Sequence, residues 1–325
     1  MIKLLPTRKE ILESLKILGM AVLGGTLLAP LVRLLPLLGW DWYIFFNANH
    51  PVNNIYNPAN PFFPYTRYII QLFTWLPWRD SLAWLGGISM VSVALGVWKA
   101  GGRYLQIVLA LFTPTLFMLL WIGHPDGLAL LGVITGIVPL ALIKPQVAVW
   151  SFFRNKGFAF WTGIFLALVF LIWPEWLTRV SAVSWDHSGS FGWHVTGWPM
   201  ALLGVFLLLG SGNNFTRLMA AGCLLSPDLM PYHLVVLLPL FGIYKGWRLG
   251  LLWFTAWLLV IGVGLGGDWR YLNLAFPLAG YWLSLTPAGY LANLRQLLKE
   301  LQSLPVAIRD TFKAILTGKG IQSGT

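Results

Sequence analysis

The sequence has 325 residues, of which 57% are hydrophobic and only 10% are charged, and its formal net charge is +11. A soluble domain carries about 25% charged residues, so this chain cannot cover a water-facing globule with polar surface. The composition therefore excludes a soluble enzyme, a disordered protein and a nucleic-acid binder. The single cysteine, Cys223, excludes an internal disulfide framework and a cysteine metal cluster.

The first sixteen residues carry mixed charge and lack the apolar core of a cleavable signal peptide. Thr7 and Glu10 have the spacing of a capping box, which marks the start of a helix. We therefore expect residues 1–16 to form an amphipathic segment on the cytoplasmic surface.

Hydrophobic runs predict an all-α integral membrane fold, a polytopic helical bundle over residues 17–288. The runs give about ten spans, near 17–38, 81–98, 104–122, 127–143, 158–173, 198–211, 214–227, 231–244, 249–266 and 271–288. Several runs are short for a bilayer crossing, which needs about 20 residues. Tilted, broken or re-entrant helices are therefore expected in the middle third of the chain.

The basic residues predict the orientation. With a cytoplasmic N-terminus and ten crossings, sixteen of the 22 Lys and Arg residues fall on cytoplasmic segments, and the C-terminus is cytoplasmic too. All five histidines and the acidic residues between the two tails then fall at or beyond the outer ends of spans. This pattern predicts a protein of the plasma (inner) membrane. It also predicts that any proton-transfer chemistry occurs on the extracytoplasmic side.

Three segments flank the predicted spans. Residues 39–80 form a first extracytoplasmic loop, rich in aromatics, Asn and Pro, for which we expect interfacial helices. Residues 174–198 form a second large outer loop. Residues 289–325 form a basic cytoplasmic tail whose leucines share one helical face, as in an amphipathic helix at the membrane surface.

Two candidate sites follow predicted spans at their outer ends. Asp41, between Trp40 and Trp42, is a candidate general base, or else a solvated residue at a helix end. In Gly123–Gly127 a tight turn brings His124 and Asp126 close together, although Asp126 could simply cap the next helix.

Two further candidates lie in the second half of the predicted bundle. Lys144, before Pro145, could hold an anionic phosphate or snorkel to the cytoplasmic interface. His233 follows a Ser-Pro turn that contains Asp228, and it could transfer protons or serve as a structural histidine. No metal site is predicted, because Asp186, His187 and His194 match no strong metal-binding spacing.

In this order, five short motifs resemble the GT-C superfamily of polyprenyl-phosphate-sugar glycosyltransferases, most closely the bacterial polyprenol-phosphate-mannose-dependent alpha-mannosyltransferases. The motifs lie between residues 35 and 245: Asp41 with Tyr43; Ile55-Tyr56-Asn57-Pro58 with Phe63-Pro64-Tyr65; Gly123-His124-Pro125-Asp126-Gly127; Lys144-Pro145-Gln146; and Ser226-Pro227 with His233. The chain is short for that family. Its residues 126–144 are compressed as well, because hydropathy predicts only one crossing there.

The resemblance implies inverting transfer of a hexose, mannose among the candidates, from a polyprenyl-phosphate donor to a lipid or glycan acceptor. It implies a catalytic role for Asp41 and His233, with Asp126 as a second candidate base. Donor-phosphate or substrate contacts would come from Lys144, Arg67, His124, Tyr65 and Asp228. No cofactor is indicated beyond the lipid-linked sugar as co-substrate; a divalent metal is compatible with the reaction but is not indicated. A non-catalytic subunit of a larger membrane complex, or a lipid or solute carrier, remains the alternative.

Overall fold

The computed structural model describes residues 6–49, 65–154, 156–175, 197–265 and 270–317, and all regular structure in these ranges is helical. The α-helices are α1 (Arg8–Arg33), α2 (Trp40–Asn49), α3 (Thr66–Gln71), α4 (Trp78–Lys99), α5 (Tyr104–Leu111), α6 (Pro114–Ile122), α7 (Asp126–Thr135), α8 (Val138–Ala141), α9 (Pro145–Ala148), α10 (Lys156–Ile172), α11 (Trp198–Leu209), α12 (Phe215–Leu225), α13 (Trp247–Leu265), α14 (Ala275–Trp282) and α15 (Pro287–Thr317). Three 3₁₀ helices lie among them, Val149–Arg154, Pro231–Gly242 and Arg270–Leu274. The predicted all-α class is confirmed.

Two of the described helices, α1 and α4, are long and apolar enough to cross a bilayer. The pair α5 and α6 would make a third span, bent by 52° at the break between them. Pro114 is the first residue of α6, and the Thr113 side chain caps that helix. These apolar helices indicate a membrane protein, but they do not support the prediction of ten spans.

The predicted spans in the middle of the chain are short because glycine and proline interrupt them. Helix α7 has 10 residues and ends at Gly136, whose φ of +75° is the left-handed conformation that favours glycine. The predicted span 231–244 is a 3₁₀ helix of 12 residues with Pro239 inside it. An α-helix of 10 residues is about 15 Å long and a 3₁₀ helix of 12 residues about 24 Å long, and both are short of the roughly 30 Å apolar core of a bilayer.

Helices α1 and α4 pack closely through glycines. A Cβ on Gly25 would lie 2.5 Å from the Ile88 side chain, and one on Gly87 would lie 2.3 Å from the Gly25 carbonyl oxygen. Such small-residue contacts are typical of helix pairs within membranes. The contact defines the frame on which the rest of the bundle is built.

Ion pairs at both ends show that α1 and α4 run antiparallel. Arg33 pairs with Asp80 at one end, and Lys99 lies 3.7 Å from Glu13 at the other. The Glu13 end also holds the end of α7, because the Lys99 ammonium donates to the Ile134 carbonyl oxygen at 2.7 Å. We call these the Asp80 end and the Glu13 end of the bundle.

The chain turns back after α7. The backbone of Gly132 packs against the backbone of Ala141, where an added Cβ would come within 2.0 Å of the Ala141 nitrogen. The segment 136–144 therefore returns along α7 instead of completing the single crossing predicted for 127–143. This return carries Lys144 away from the Glu13 end of the bundle.

The two terminal segments are helical. Helix α1 begins at Arg8, with the predicted Thr7–Glu10 capping box present, and continues through residue 16 without a break. Helix α15 contacts α11 through Tyr290, whose hydroxyl donates to the Phe206 carbonyl oxygen at 2.7 Å. The side chains of Leu291, Leu298 and Leu301 in α15 are more than half exposed, as an apolar face at a membrane surface requires.

Candidate functional site

The short connection from α1 to α2 is fixed at the Asp80 end of the bundle. The Gly39 N–H donates to the Trp121 carbonyl oxygen at 2.8 Å. The Trp42 indole N–H donates to the Ser81 hydroxyl at 2.9 Å, and Trp42 is fully buried. These bonds hold the first turn of α2, and with it Asp41, against the ends of α4 and α6.

The turn after α6 presents the His124–Asp126 pair. Gly123 ends α6 with a φ of +78°, and the His124 Nδ1 lies 2.7 Å from the Asp126 Oδ1. Both side chains are buried, and Asp126 is the first residue of α7. The carboxylate thus holds the imidazole by hydrogen bonding to its Nδ1, as the sequence spacing predicts.

His233 joins this pair from the 3₁₀ helix Pro231–Gly242. The Met230 backbone nitrogen lies 3.0 Å from its Nδ1, which fixes the ring at the start of that helix. Its Nε2 lies 3.7 Å from the Asp126 Oδ2, and the side chain is completely buried. The predicted candidates His124, Asp126 and His233 are therefore brought together.

Lys144 reaches the same place from the returning segment after α7. Its side chain is only 7% exposed, and its Nζ lies 3.2 Å from the His233 Nε2. It interacts electrostatically with Asp126 and with both histidines. Lys144 is thus directed into the protein and does not snorkel to the surface. We refer to His124, Asp126, Lys144 and His233 as the buried cluster.

Asp41 lies at the edge of the buried cluster and is partly exposed. Burial raises the pKa of its carboxyl group to about 6, while the nearby Lys144 ammonium lowers this pKa and the nearby Asp126 carboxylate raises it. A partly exposed carboxyl group with a pKa close to neutrality has the properties of a general base.

Tyr232 is a cluster neighbour that the sequence analysis missed. Its ring stacks on His124 with centroids 4.6 Å apart and meets His233 edge-on at 4.7 Å. Phe45 contacts the His124 ring edge-on at 5.6 Å. The position of Tyr232 next to His233 in the sequence is the only local signal that could have pointed to it.

Asp228 lies beside the buried cluster, because its backbone hydrogen-bonds to His233, whereas Tyr65 and Arg67 lie in other surroundings. Asp228 is buried, and one of its carboxylate oxygens has no hydrogen-bond partner among the described residues. The Tyr65 hydroxyl donates to the Pro139 carbonyl oxygen at 3.2 Å, and the Arg67 guanidinium lies over the Tyr68 ring at 4.9 Å. These contacts of Tyr65 and Arg67 are not with the buried cluster.

Several predicted features lie outside the described residues. They are the motif residues 55–58 and 63–64, the candidate metal ligands Asp186, His187 and His194, the part 50–64 of the predicted outer loop 39–80, and most of the predicted outer loop 174–198. Within the described ranges, one set of side chains is grouped closely enough to hold a metal ion. One ligand atom from each member lies within 4.8 Å of the others, and the members are His124, Asp126 and His233. This group was not predicted from the sequence.

Replacing Gly123 should disturb the turn that supports both Asp41 and His124. An added Cβ would lie 2.6 Å from Leu82 and 2.9 Å from Trp42, in a left-handed conformation that by itself costs about 1–2 kcal/mol. We expect Gly123→Ala to lower the free energy of unfolding by about 2 kcal/mol or more, measured by SDS titration of the purified protein. Gly19→Ala is the control, since nothing lies within 4 Å of its Cβ position. Equal stability of the two variants would contradict this role of Gly123.

Comparison with known proteins gave no match: no protein-family model matches the chain, and neither do curated proteins or solved structures. The class of helical membrane protein therefore rests on the chain's own composition and on the apolar helices α1 and α4.

Proposed function

We propose that this protein is a membrane glycosyltransferase that moves a hexose, with mannose as the first candidate, from a polyprenyl-phosphate donor to a lipid or glycan acceptor by inversion. One observation carries the proposal. Asp41, His124, Asp126, Lys144 and His233, which come from four separate parts of the sequence, converge at the Asp80 end of the bundle. The resemblance of the sequence motifs to GT-C enzymes supports the same reaction.

The first half of the proposed reaction is proton removal. An acceptor hydroxyl oxygen attacks the anomeric carbon of the donor sugar, and its proton passes to the Asp41 carboxylate. Asp41 is suited to this because it is only partly buried, whereas Asp126 is fully enclosed and already bonded to His124. Asp126 would then orient His124, while direct proton transfer to Asp126 is the second option.

The second half is departure of the lipid phosphate. As the bond between the anomeric carbon and the phosphate oxygen breaks, its electron pair leaves with the polyprenyl phosphate. The Lys144 ammonium and the His233 ring would stabilise this charge, and Arg67 would have to approach from its position over Tyr68 to contribute. Fixed donors in a water-poor site stabilise developing charge far better than the same groups in water.

The proposed location is the plasma membrane with both termini cytoplasmic and the site facing outward. Lys99 lies at the Glu13 end of the bundle, together with the N-terminal half of α1. Asp41 and the turn at Gly123 lie at the opposite, Asp80 end. The positive-inside rule then assigns the Glu13 end to the cytoplasm. The bilayer, a lipid-linked donor, an acceptor and further complex subunits are the proposed partners.

The decisive experiment uses the purified full-length protein in liposomes. Polyprenyl-phosphate donors carrying radiolabelled mannose, glucose, galactose or arabinose are supplied with extracted envelope lipids and glycans as acceptors. Transfer of label to an acceptor, with release of polyprenyl phosphate, is the expected result. Movement of intact donor across the bilayer without bond cleavage would instead indicate a carrier. The absence of both transfer and movement would favour a structural subunit.

The pH dependence of transfer should report the state of Asp41. Its carboxyl group must be deprotonated to accept a proton, and its pKa is raised to about 6. Below that pH we expect kcat/KM to fall by about tenfold per pH unit, and above it to level off. The rate is to be measured from about pH 4.5 to about pH 8 under subsaturating donor. A profile that stays flat through this range would contradict the assignment of Asp41 as the base.

A further inference from the structure

The buried cluster contains most of a divalent-metal site. The Asp126 Oδ2 has no hydrogen-bond partner among the described residues, and it lies 3.7 Å from the His233 Nε2. Ligand atoms about 2.1 Å from a tetrahedral Zn²⁺ lie about 3.4 Å from one another. With His124, the set of two imidazoles and one carboxylate has the chemistry of a zinc-type site.

A positive charge is already present beside this set. The Lys144 Nζ lies 3.2 Å from the His233 Nε2, the atom that His233 would offer to a metal. The same ammonium interacts electrostatically with Asp41, with Asp126 and with His124. A metal ion bound to the His233 Nε2 would lie close to the Lys144 ammonium, and two positive charges close together repel strongly in a buried site. A buried carboxylate, however, needs one cation nearby.

We infer that the Lys144 ammonium is the built-in cation of this site and takes the place that a divalent metal ion would occupy between Asp126 and His233. The wild-type protein would then need no metal at the cluster. Removal of the Lys144 side chain would uncover a site for Zn²⁺ or Co²⁺ formed by His124, Asp126 and His233.

This inference rests on the proposed function and deepens it, because it makes Lys144 the built-in cation that meets the departing phosphate. Its test does not depend on sugar transfer, however. Metal uptake and thermal stability are measured on the protein without donor or acceptor. Failure of the transferase proposal and failure of the cation inference are therefore distinguishable.

The experiment compares metal binding by the full-length wild type and the Lys144→Ala variant, both purified in detergent. We expect the variant to bind about one Co²⁺ per chain, with the visible absorption of histidine-bound Co²⁺. The wild type should bind at least about 100-fold more weakly. Zn²⁺ should raise the thermal unfolding midpoint of the variant and leave that of the wild type unchanged.

Two controls isolate the site. Lys99→Ala removes a lysine from the Glu13 end of the bundle and should not increase metal binding. The double variant Lys144→Ala with His233→Ala lacks one ligand and should lose the Co²⁺ absorption.

Two results would overturn the inference. The first is tight metal binding by the wild type. The second is a Lys144→Ala protein that neither binds Co²⁺ nor gains stability from Zn²⁺, including one that fails to fold with Zn²⁺ present throughout purification.

Discussion

Asp41→Asn is expected to lower kcat/KM for sugar transfer by about 10²–10⁴-fold, the usual contribution of a general base. The amide keeps the size of the side chain but cannot take the acceptor's proton. Asp41 is only partly buried, and burial disfavours the charged form of its carboxyl group. The substitution should therefore leave the thermal stability almost unchanged. The measurement is the initial rate of label transfer at subsaturating donor, together with a thermal unfolding curve.

The matched control for this variant is Asp80→Asn. Asp80 is another acidic residue at the same end of the bundle, and it pairs with Arg33 at the surface. Surface ion pairs contribute little, so transfer by Asp80→Asn should stay within about threefold of the wild-type rate. Equal rates in Asp41→Asn and the wild type would remove Asp41 from the mechanism and leave Asp126 as the candidate base.

Asp126→Ala should have the largest effect on stability. Its carboxylate is fully buried and compensates the Lys144 ammonium and the His124 N–H. Removing one partner of a buried charged group strands the other, which costs about 3–5 kcal/mol. We expect SDS titration to show a decrease of this size in the free energy of unfolding, and transfer to fall below detection.

Glu13→Ala provides the comparison for Asp126→Ala. Glu13 also faces a lysine, Lys99, but its side chain is 55% exposed. Its removal should cost less than about 1 kcal/mol. If Asp126→Ala were no less stable than Glu13→Ala, the electrostatic account of the buried cluster would be wrong.

The local parts of the fold and site follow from short sequence motifs. The capping box at Thr7 and Glu10 and the turn at Gly123 depend on residues that are neighbours in the sequence. The contact of His124 with Asp126 is of the same kind, since only two positions separate them. Such features need no knowledge of the rest of the chain.

The contact of Lys144 with His233 could not be derived in this way. The two residues are 89 positions apart, and their approach depends on the return of the chain after Gly136. Hydropathy records only that residues 127–143 are apolar, and an apolar run is compatible with one crossing or with a turn and return. The motif resemblance placed Lys144 near a phosphate, but it gave no geometry.

The prediction of ten spans lacks support for the same reason. Hydrophobic windows measure how many apolar residues occur together, whereas a span also requires an uninterrupted helix. Within apolar sequence, Gly136 ends α7, Pro139 lies in the first turn of the four-residue helix α8, and Pro239 lies within a 3₁₀ helix. Tyr232 was not predicted because its position next to His233 in the sequence does not show that its ring stacks on His124.

The most direct test of the central claim is a single measurement of stoichiometry. Purified wild-type protein in liposomes is given a doubly labelled donor, with one label in the sugar and one in the polyprenyl phosphate, and an acceptor extract. The glycosyltransferase account requires one polyprenyl phosphate released for each sugar bound to acceptor, and a loss of both products in Asp41→Asn. Donor that remains intact in the presence of every sugar and acceptor tested would contradict it.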